Sequence, residues 1–490
     1  MFSRFSRRHF AKLAGLSALG LAAPAAEAAE GRAKQGKDRH APAPFPKDFV
    51  WGTATSSYQI EGAVKEDGRG PSIWDTFSHT PGKIGDGSNG DRANEHYHRY
   101  KEDVRLIRDL GVKAYRFSIA WPRVFPEGSG KPNPKGLDFY NRLIDELLAN
   151  GIVPYATLYH WDLPQALQDR VGGWQSSETS KAFAEYSGYV AERLSDRVKY
   201  FFTLNEAGRF LNFGYGWGID APGLKLPTGE LNQARHHVVL GHGLAVQAIR
   251  ARARRGTLVG PAENIAACVP AFATPEHIRA TEMATRELNA GFLGVILEGK
   301  YTDGFLAYSG KDAPKFTAEE LKIIGSKNDF VGLNIYAPQF YIAASDKKPG
   351  WDVLPFPASF PHMNSEWLRI GPEVIYWTPR LAAKVWNIEN IFITENGTSS
   401  EDKLTADGKV HDLDRVSFLR NYLVQLQRAT SEGVPVRGYF LWSLMDNFEW
   451  IFGYEKRFGV YRVDFETQAR VPKLSAAFYR DVVAKNAIGV

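Results

Sequence analysis

Apolar residues along the chain gather in short runs, each followed by a polar loop and then a longer stretch whose apolar positions recur at helical spacing. The runs are FVWGTAT (49–55), KAYRFSIAW (113–121), VPYATLYH (153–160) and VKYFFTLNE (198–206). They continue as TLVGPAEN (257–264), DFVGLNIY (329–336), NIFITENG (390–397) and VRGYFLWSL (436–444). Runs of this length, rich in β-branched and aromatic residues, predict buried strands. Between them EDVRLIRDLG (102–111), FYNRLIDELLANG (139–151) and FLRNYLVQLQRATSEG (418–433) predict amphipathic helices. The last of these puts Leu419, Tyr422, Leu423 and Leu426 on one face and stops at Gly433. Strands alternating with helices imply parallel pairing through crossover helices. Eight such units predict an α/β fold: a (β/α)8 TIM barrel with long βα loops, one catalytic domain over residues 46–490. A doubly wound open sheet is the alternative, but no glycine-rich phosphate fingerprint follows the first run.

The barrel makes a demand on the polar residues, because functional groups collect where the C-terminal ends of the strands meet the βα loops. Several runs end that way. His160 closes the third and Glu206 the fourth; Asn334 and Tyr336 close the sixth and Glu395 the seventh. Trp442 lies in the eighth, with Glu449 and Trp450 just beyond. Polar groups interrupting apolar runs always at the same end predict a site there.

Composition narrows the class. Across 490 residues, 44% are hydrophobic and 23% charged, as in an ordinary globular protein. Aromatics reach 13%, which fits either a core of large rings or a carbohydrate cleft. The net charge of +5 is uneven, because residues 1–28 hold Arg4, Arg7, Arg8 and Lys12 against Glu27 alone. The rest of the chain is close to neutral, which argues against nucleic acid as a partner. Cys268 is the only cysteine, so neither an internal disulfide nor a cysteine zinc site is expected. Residues 1–28 pair a basic leader with a stretch of small apolar residues and an Ala26-Glu27-Ala28 processing site, which predicts a secretory signal. Arg7-Arg8 followed by Phe10 and Lys12 resembles the twin-arginine signal of bacteria, so the expected partner is that export machinery and the expected location periplasmic or secreted. Residues 29–45 read as a flexible linker, and no later segment is apolar enough to anchor the processed chain in a membrane.

Glu206 in TLNEA and Glu395 in ITENG form the central pair. Two carboxyls facing one pocket are what glycoside hydrolysis requires, one to give a proton and the other to meet the sugar cation. Asn205 offers an amide to a sugar hydroxyl. Arg116, inside the apolar YRFSIAW, needs a carboxylate partner if buried, and either Glu qualifies. Gln59 in SSYQIEG and His160 in LYHWDLP can both donate and accept, as sugar hydroxyls do. Trp442 and Trp450 in WSLMDNFEW offer flat faces to a pyranose. His96 and His98 stand two apart and diverge on a helix, His236, His237 and His242 lie in an apolar helical pattern, and no HExxH occurs, so neither metal nor cofactor is expected.

Taken together these motifs resemble glycoside hydrolase family 1, the β-glucosidase family. The likeness spans residues 46–490 and includes FVWGTATSSYQIEG, YRFSIAWPRVFPEGSG, LYHWDLPQAL, TLNEA, DFVGLNIY, ITENG and GYFLWSLMDNFEWIFGYEKRFGV in the family's order. It implies a retaining β-glycosidase, foremost a β-glucosidase acting on β-glucosides and short oligosaccharides. Glu206 would be the acid/base and Glu395 the nucleophile. Gln59, His160, Asn205, Glu449 and Trp450 would surround the non-reducing sugar, with Trp442 as its platform. Asn334 and Tyr336 would sit beside the carboxyls, and Arg116 beside Glu395. The carboxyls should lie roughly 5–5.5 Å apart. Glu206 should titrate high, and Glu395 at or below its ordinary value.

Within the family, myrosinase-type enzymes carry Gln at the acid/base position, so Glu206 favours ordinary O-glycosides. A carboxylate at Glu449 would repel the phosphate of 6-phosphoglycosides. The remaining alternatives are a transglycosylase, a β-galactosidase or β-fucosidase of the same family, or a non-catalytic sugar-binding protein. The last normally lacks one carboxylate, and here both are present. Two departures stand out. The family usually has Pro after the acid/base Glu and this chain has Ala207, which predicts a looser loop. The segment NAGFLGVILEGKYTDG lacks the usual Asp-Pro, a change expected on the aglycone side.

Overall fold

The computed structural model describes residues 43–488; the leader at 1–28 and all but the end of the linker segment lie outside the described residues. Phe45, the last residue of that segment, is buried. Its ring packs on Phe49 and Trp51 at 4.7 and 4.8 Å, and its N–H donates to Asn486 O at 3.0 Å.

Eight strands close a barrel: β1 (Val50–Ala54), β2 (Ala114–Ser118), β3 (Val153–Tyr159), β4 (Tyr200–Asn205), β5 (Leu258–Glu263), β6 (Val331–Asn334), β7 (Ile391–Asn396) and β8 (Val436–Trp442). Each falls inside one of the eight runs read from the sequence. Every neighbouring pair is parallel, and β8 returns to β1 to close the ring. The interior is filled by rings from alternating strand positions. Phe202 packs on Phe330 at 4.9 Å, and Tyr155 on Phe440 at 5.0 Å. Small residues make room for them, since a Cβ at Gly52 would lie 2.5 Å from the Phe440 ring. Part of the aromatic surplus is therefore core, in keeping with the layered filling of such barrels.

Helices cover the outside. The helix Pro134–Ala149 starts with Pro at its first position and buries Leu137, Tyr140, Leu143, Ile144 and Leu147, a stripe at three- and four-residue spacing. The helix Leu413–Ser431 buries Leu419, Tyr422, Leu423 and Leu426, the face expected from the pattern. His96 and His98 lie in the helix His96–Asp109 and part company there, one bonded to Asp103 and the other to Glu66. His236 and His242 are buried in the helix Thr228–Arg252. The loop after β6 is long and adds two strands, Phe340–Ala344 and Trp351–Leu354, to a small sheet with Cys268–Pro270. Among the described residues no helix is long and apolar enough to cross a membrane.

Candidate active site

A cavity of about 1460 Å³ opens at the C-terminal ends of the strands, and Glu206, Glu395, His160, Asn334, Tyr336, Trp442, Glu449 and Trp450 all line it. Asn205, Arg116 and Gln59 stand directly behind, bonded to members of that set. The eleven residues singled out in the sequence thus converge on one place.

The centre is built from hydrogen bonds between strand ends. Arg116, on β2 and 1% exposed, reaches across the barrel and donates to Glu395 Oε1 at 2.8 Å and to Asn205 Oδ1 at 2.6 Å. Its remaining donors go to Thr157 Oγ1 and Thr394 O, at 3.0 and 3.2 Å. A planar guanidinium suits this place because it fixes several acceptors at once, which an ammonium cannot. Its carboxylate partner, left open by the sequence between two Glu residues, is Glu395. Asn334 Nδ2 donates to Glu206 Oε1 at 2.8 Å and to Asn205 Oδ1 at 3.1 Å, and the Thr394 hydroxyl on its Oδ1 at 2.6 Å sets that orientation. Tyr336 donates to Glu395 Oε2 at 2.7 Å.

The two carboxyls therefore differ in what faces them. Burial pushes Glu206 up to about 8, the Glu395 charge adds to that, and only the Asn334 amide and the Arg209 charge pull back appreciably. Burial also lifts Glu395, against the Arg116 charge and hydrogen bonds from Arg116, Tyr336 and Asn334. The expectation of an ordinary or depressed Glu395 is thus not met, because burial outweighs its donors. Close, buried carboxyls titrate as a pair. With more donors on Glu395, the proton they share belongs on Glu206.

The rest of the cavity floor is polar and flat-walled. Gln59 accepts from the Ser56 hydroxyl at 2.6 Å and turns its amide N–H groups to Asn447 Oδ1, Phe448 O and Glu449 Oε2, at 3.0, 2.9 and 3.3 Å. Burial, then the Glu395 charge, raises Glu449 to about 8. His160 accepts from Asn205 Nδ2 at 3.2 Å on Nε2, which leaves the proton on Nδ1. That nitrogen is buried and has no partner among the described residues. Burial, with Arg116 second, keeps the ring neutral by holding its pKa well below the usual imidazole range. Trp442 stacks beside His160 at 5.6 Å and 17°, and Trp450 lies 4.5 Å from both Trp74 and Trp161.

Ala207 gives the loop a donor that a proline would lack. Glu206 sits in left-handed backbone (φ 53°) at the head of the short helix Ala207–Phe210. The N–H groups of Ala207 and Gly208 both donate, at 3.0 Å each, to the carboxylate of Glu263 at the end of β5. Glu263 was missed in the sequence, although it stands one residue from the end of the fifth run, much as Glu206 ends the fourth. Trp161 was also missed; it donates to Asn205 O at 2.9 Å and walls the cavity. Thr157 and Thr394 gave no signal, since either is an ordinary strand residue until its partner is known. The segment that lacks Asp-Pro supplies Asn289, Gly291, Phe292 and Gly304 to the outer cavity.

Comparison with known proteins agrees with this geometry. The sequence model of glycosyl hydrolase family 1 matches residues 41–488. Beta-glucosidase A of Acetivibrio thermocellus is 44% identical over 448 residues, covering 90% of this chain and 98% of that protein. A bifunctional beta-D-glucosidase/beta-D-fucosidase of Bifidobacterium breve is 44% identical over 461 residues, covering 90% and 98%. The Thermotoga maritima beta-glucosidase solved with deoxynojirimycin superposes with a TM-score of 0.83 at 42% identity, covering 91% of this chain and all of that one. The chain belongs to glycosyl hydrolase family 1.

Proposed function

We propose that this family 1 enzyme is a retaining β-glucosidase, with Glu395 as nucleophile and Glu206 as acid/base. The observation that carries the reading is the unlike surroundings of the two carboxyls. Glu395, with Arg116 and Tyr336 on its two oxygens, is poised to carry charge. Glu206, raised to about 8, is poised to hold a proton at neutral pH.

In the first step Glu395 attacks the anomeric carbon while Glu206 gives its proton to the departing oxygen, so the aglycone leaves as an alcohol. Esterifying Glu395 removes the charge that helped hold Glu206 up, so Glu206 then accepts a proton from water. That water adds to the anomeric carbon and frees Glu395, and two inversions give net retention. We assign Glu449 and His160, with Gln59 behind Glu449, to the sugar hydroxyls, Trp442 to the ring face, and Asn205 to the side of the 2-hydroxyl. The carboxyl of Glu449, neutral or charged, suits hydroxyls and not a sugar phosphate.

The test is product stereochemistry on an aryl β-glucoside followed by NMR. β-Glucose as first product is expected, and α-glucose would overturn the mechanism. For the leader, the Arg7-Arg8 pair ahead of an apolar stretch supports export by the twin-arginine route to the periplasm or medium. Replacing both arginines with lysine should retain the enzyme in the cytoplasm; unchanged export would refute that route.

A further inference from the structure

The outer part of the cavity has a character unlike its floor. Three successive βα loops place exposed apolar side chains around one mouth. Trp217 (55% exposed) comes from the loop after β4, Met283 and Tyr308 from the segment after β5, and Trp367 (44%) from the loop after β6. Trp217 and Trp367 are the only tryptophans among the exposed large hydrophobics of the described residues. An exposed apolar patch of this kind marks a binding surface. It is continuous with the reacting groups, because Trp367 lies edge-on to Tyr336 at 5.7 Å and Tyr336 touches Glu395.

Most charged groups of the outer cavity already have partners, although Arg235 Nε and Trp351 Nε1 have none among the described residues. Arg209 pairs with Asp220 at 3.1 Å and covers the Phe213 ring, and Arg286 holds Glu298 with two bonds. Arg235 is bound to Asn232 and Asn212, and Glu287 accepts the Thr302 hydroxyl at 2.8 Å. A second glucose entering here would lose water from several hydroxyls and regain fewer partners than it gave up, which is unfavourable. A flat apolar group would gain from burial on the same walls. The space is ample, since the whole cavity, glucose floor included, holds about 1460 Å³ against the roughly 300–1,000 Å³ of a drug-sized ligand site.

Resting on the β-glucosidase reading, we propose that the aglycone is a large, rigid, mainly apolar multi-ring alcohol or phenol, of the flavonoid or fused-ring terpenoid kind, and not a glucan chain. The reaction is the one above: the glycosidic C–O bond breaks, Glu206 protonates the aglycone oxygen, and water supplies the hydroxyl on glucose. The test compares kcat/KM on a flavonoid β-glucoside and on cellobiose for the wild type, Trp217→Ala and Trp367→Ala. β-Glucosyl fluoride, which has no aglycone to bind, reports the glucosidase reading separately. The wild type should prefer the flavonoid glucoside, and each variant should lower the flavonoid-to-cellobiose ratio roughly tenfold. A preference for cellobiose, or an unchanged ratio in both variants, would overturn the proposal. Loss of all turnover of the fluoride by the wild type would overturn the glucosidase reading instead.

An independent observation concerns the loop that carries Glu206. A proline at position 207 would fix φ but would have no N–H. Ala207 keeps its N–H, and Glu263, 3% exposed, accepts it together with the N–H of Gly208. Proline there would leave Glu263 with one of these two donors missing, so Ala207 and Glu263 belong together. The geometry points to Glu263 as a positioning residue that does with two hydrogen bonds what a proline ring does covalently, fixing where Glu206 aims its proton. Glu263→Leu should slow a glucoside with a poor leaving group roughly ten- to a hundredfold more than 2,4-dinitrophenyl β-glucoside, which departs without a proton. Adding Ala207→Pro to Glu263→Leu should restore much of that loss. Equal slowing of both substrates, or no recovery in a double variant shown by circular dichroism to be folded, would overturn the role. Glu206→Gln run beside them tells failure of the acid assignment from failure of the positioning.

Discussion

Tyr336→Phe removes one hydroxyl and leaves a ring. The hydroxyl donates to Glu395 Oε2 at 2.7 Å, while the ring packs near Trp367 and Phe458 at 5.7 and 6.3 Å, so packing is kept. A hydrogen bond to a charged group contributes about 1.5–3 kcal/mol. At about 1.4 kcal/mol per pH unit, its loss should move the titration of Glu395 by about 1–2 units. The direction follows from which form the bond favours. The donor stabilises the ionised carboxylate, so its removal raises the pKa. As the proposed nucleophile Glu395 must be ionised to attack, and the acid limb of kcat/KM should therefore shift upward by that amount. The alkaline limb reports Glu206, raised to about 8, whose hydrogen-bond donor is Asn334 and not Tyr336. That limb should stay in place. The pH profile of kcat/KM on 4-nitrophenyl β-glucoside thus narrows from the acid side only. An acid limb that stays still or moves down, or two limbs moving together, would refute the argument.

Glu206→Gln should slow methyl β-glucoside by roughly 10²–10⁴-fold and an activated dinitrophenyl glucoside far less in the first step, and equal slowing would remove the acid role. The same variant tests linkage. A carboxyl raised in the fold from 4.5 to about 8 adds stability below its ordinary value and loses it as pH rises through that window. Gln does not titrate, so the melting temperature of the variant should gain on the wild type from pH 4.5 to about 8 and the gap should level off above; a constant gap contradicts the burial argument. Arg415, fully buried, holds Asp402, Asp412 and the carbonyls of Thr398 and Arg457, which ties the loops after β7 and β8 together. Arg415→Met should lower unfolding stability by about 3–5 kcal/mol in denaturant titrations, because it strands buried charge; a loss under 1 kcal/mol, about the value of a surface pair, would contradict this.

What the sequence made legible was the part of the fold that repeats. Each strand of the barrel is a short apolar run bounded by turn residues, and parallel pairing follows from the helices between runs. The chemistry was legible where it broke that pattern, as with an Arg inside YRFSIAW or an acid closing VKYFFTLNE. Contacts across the barrel were not legible. Thr157 and Thr394 are typical strand residues whose value appears only when Arg116 and Asn334 arrive from other strands. Trp161 follows His160 directly, but its left-handed backbone (φ 79°) turns the chain there, and nothing in LYHWDLP announces that turn. The ionisation of Glu395 was misjudged for a related reason. Its donors could be guessed from neighbouring motifs, whereas the burial that outweighs them belongs to the whole barrel mouth.

Glu263 is the most instructive of the missed residues, because position along the strand does not separate it from Glu206 and Glu395. Three barrel strands deliver a Glu at or just past the C-terminal end: Glu206, Glu263 and Glu395. Burial raises all three. They differ in what satisfies them. Glu263 takes main-chain N–H groups from the Glu206 loop and from its own neighbour Asn264, partners that hold still through a reaction. Glu206 and Glu395 take side-chain donors at the cavity wall, where a substrate can compete for or join them. A carboxyl bound by fixed backbone can hold a loop in place. One met by side chains at an open wall can exchange a proton or form a bond. The unusual Ala207 marks the first kind, since its N–H is the donor a proline would have removed.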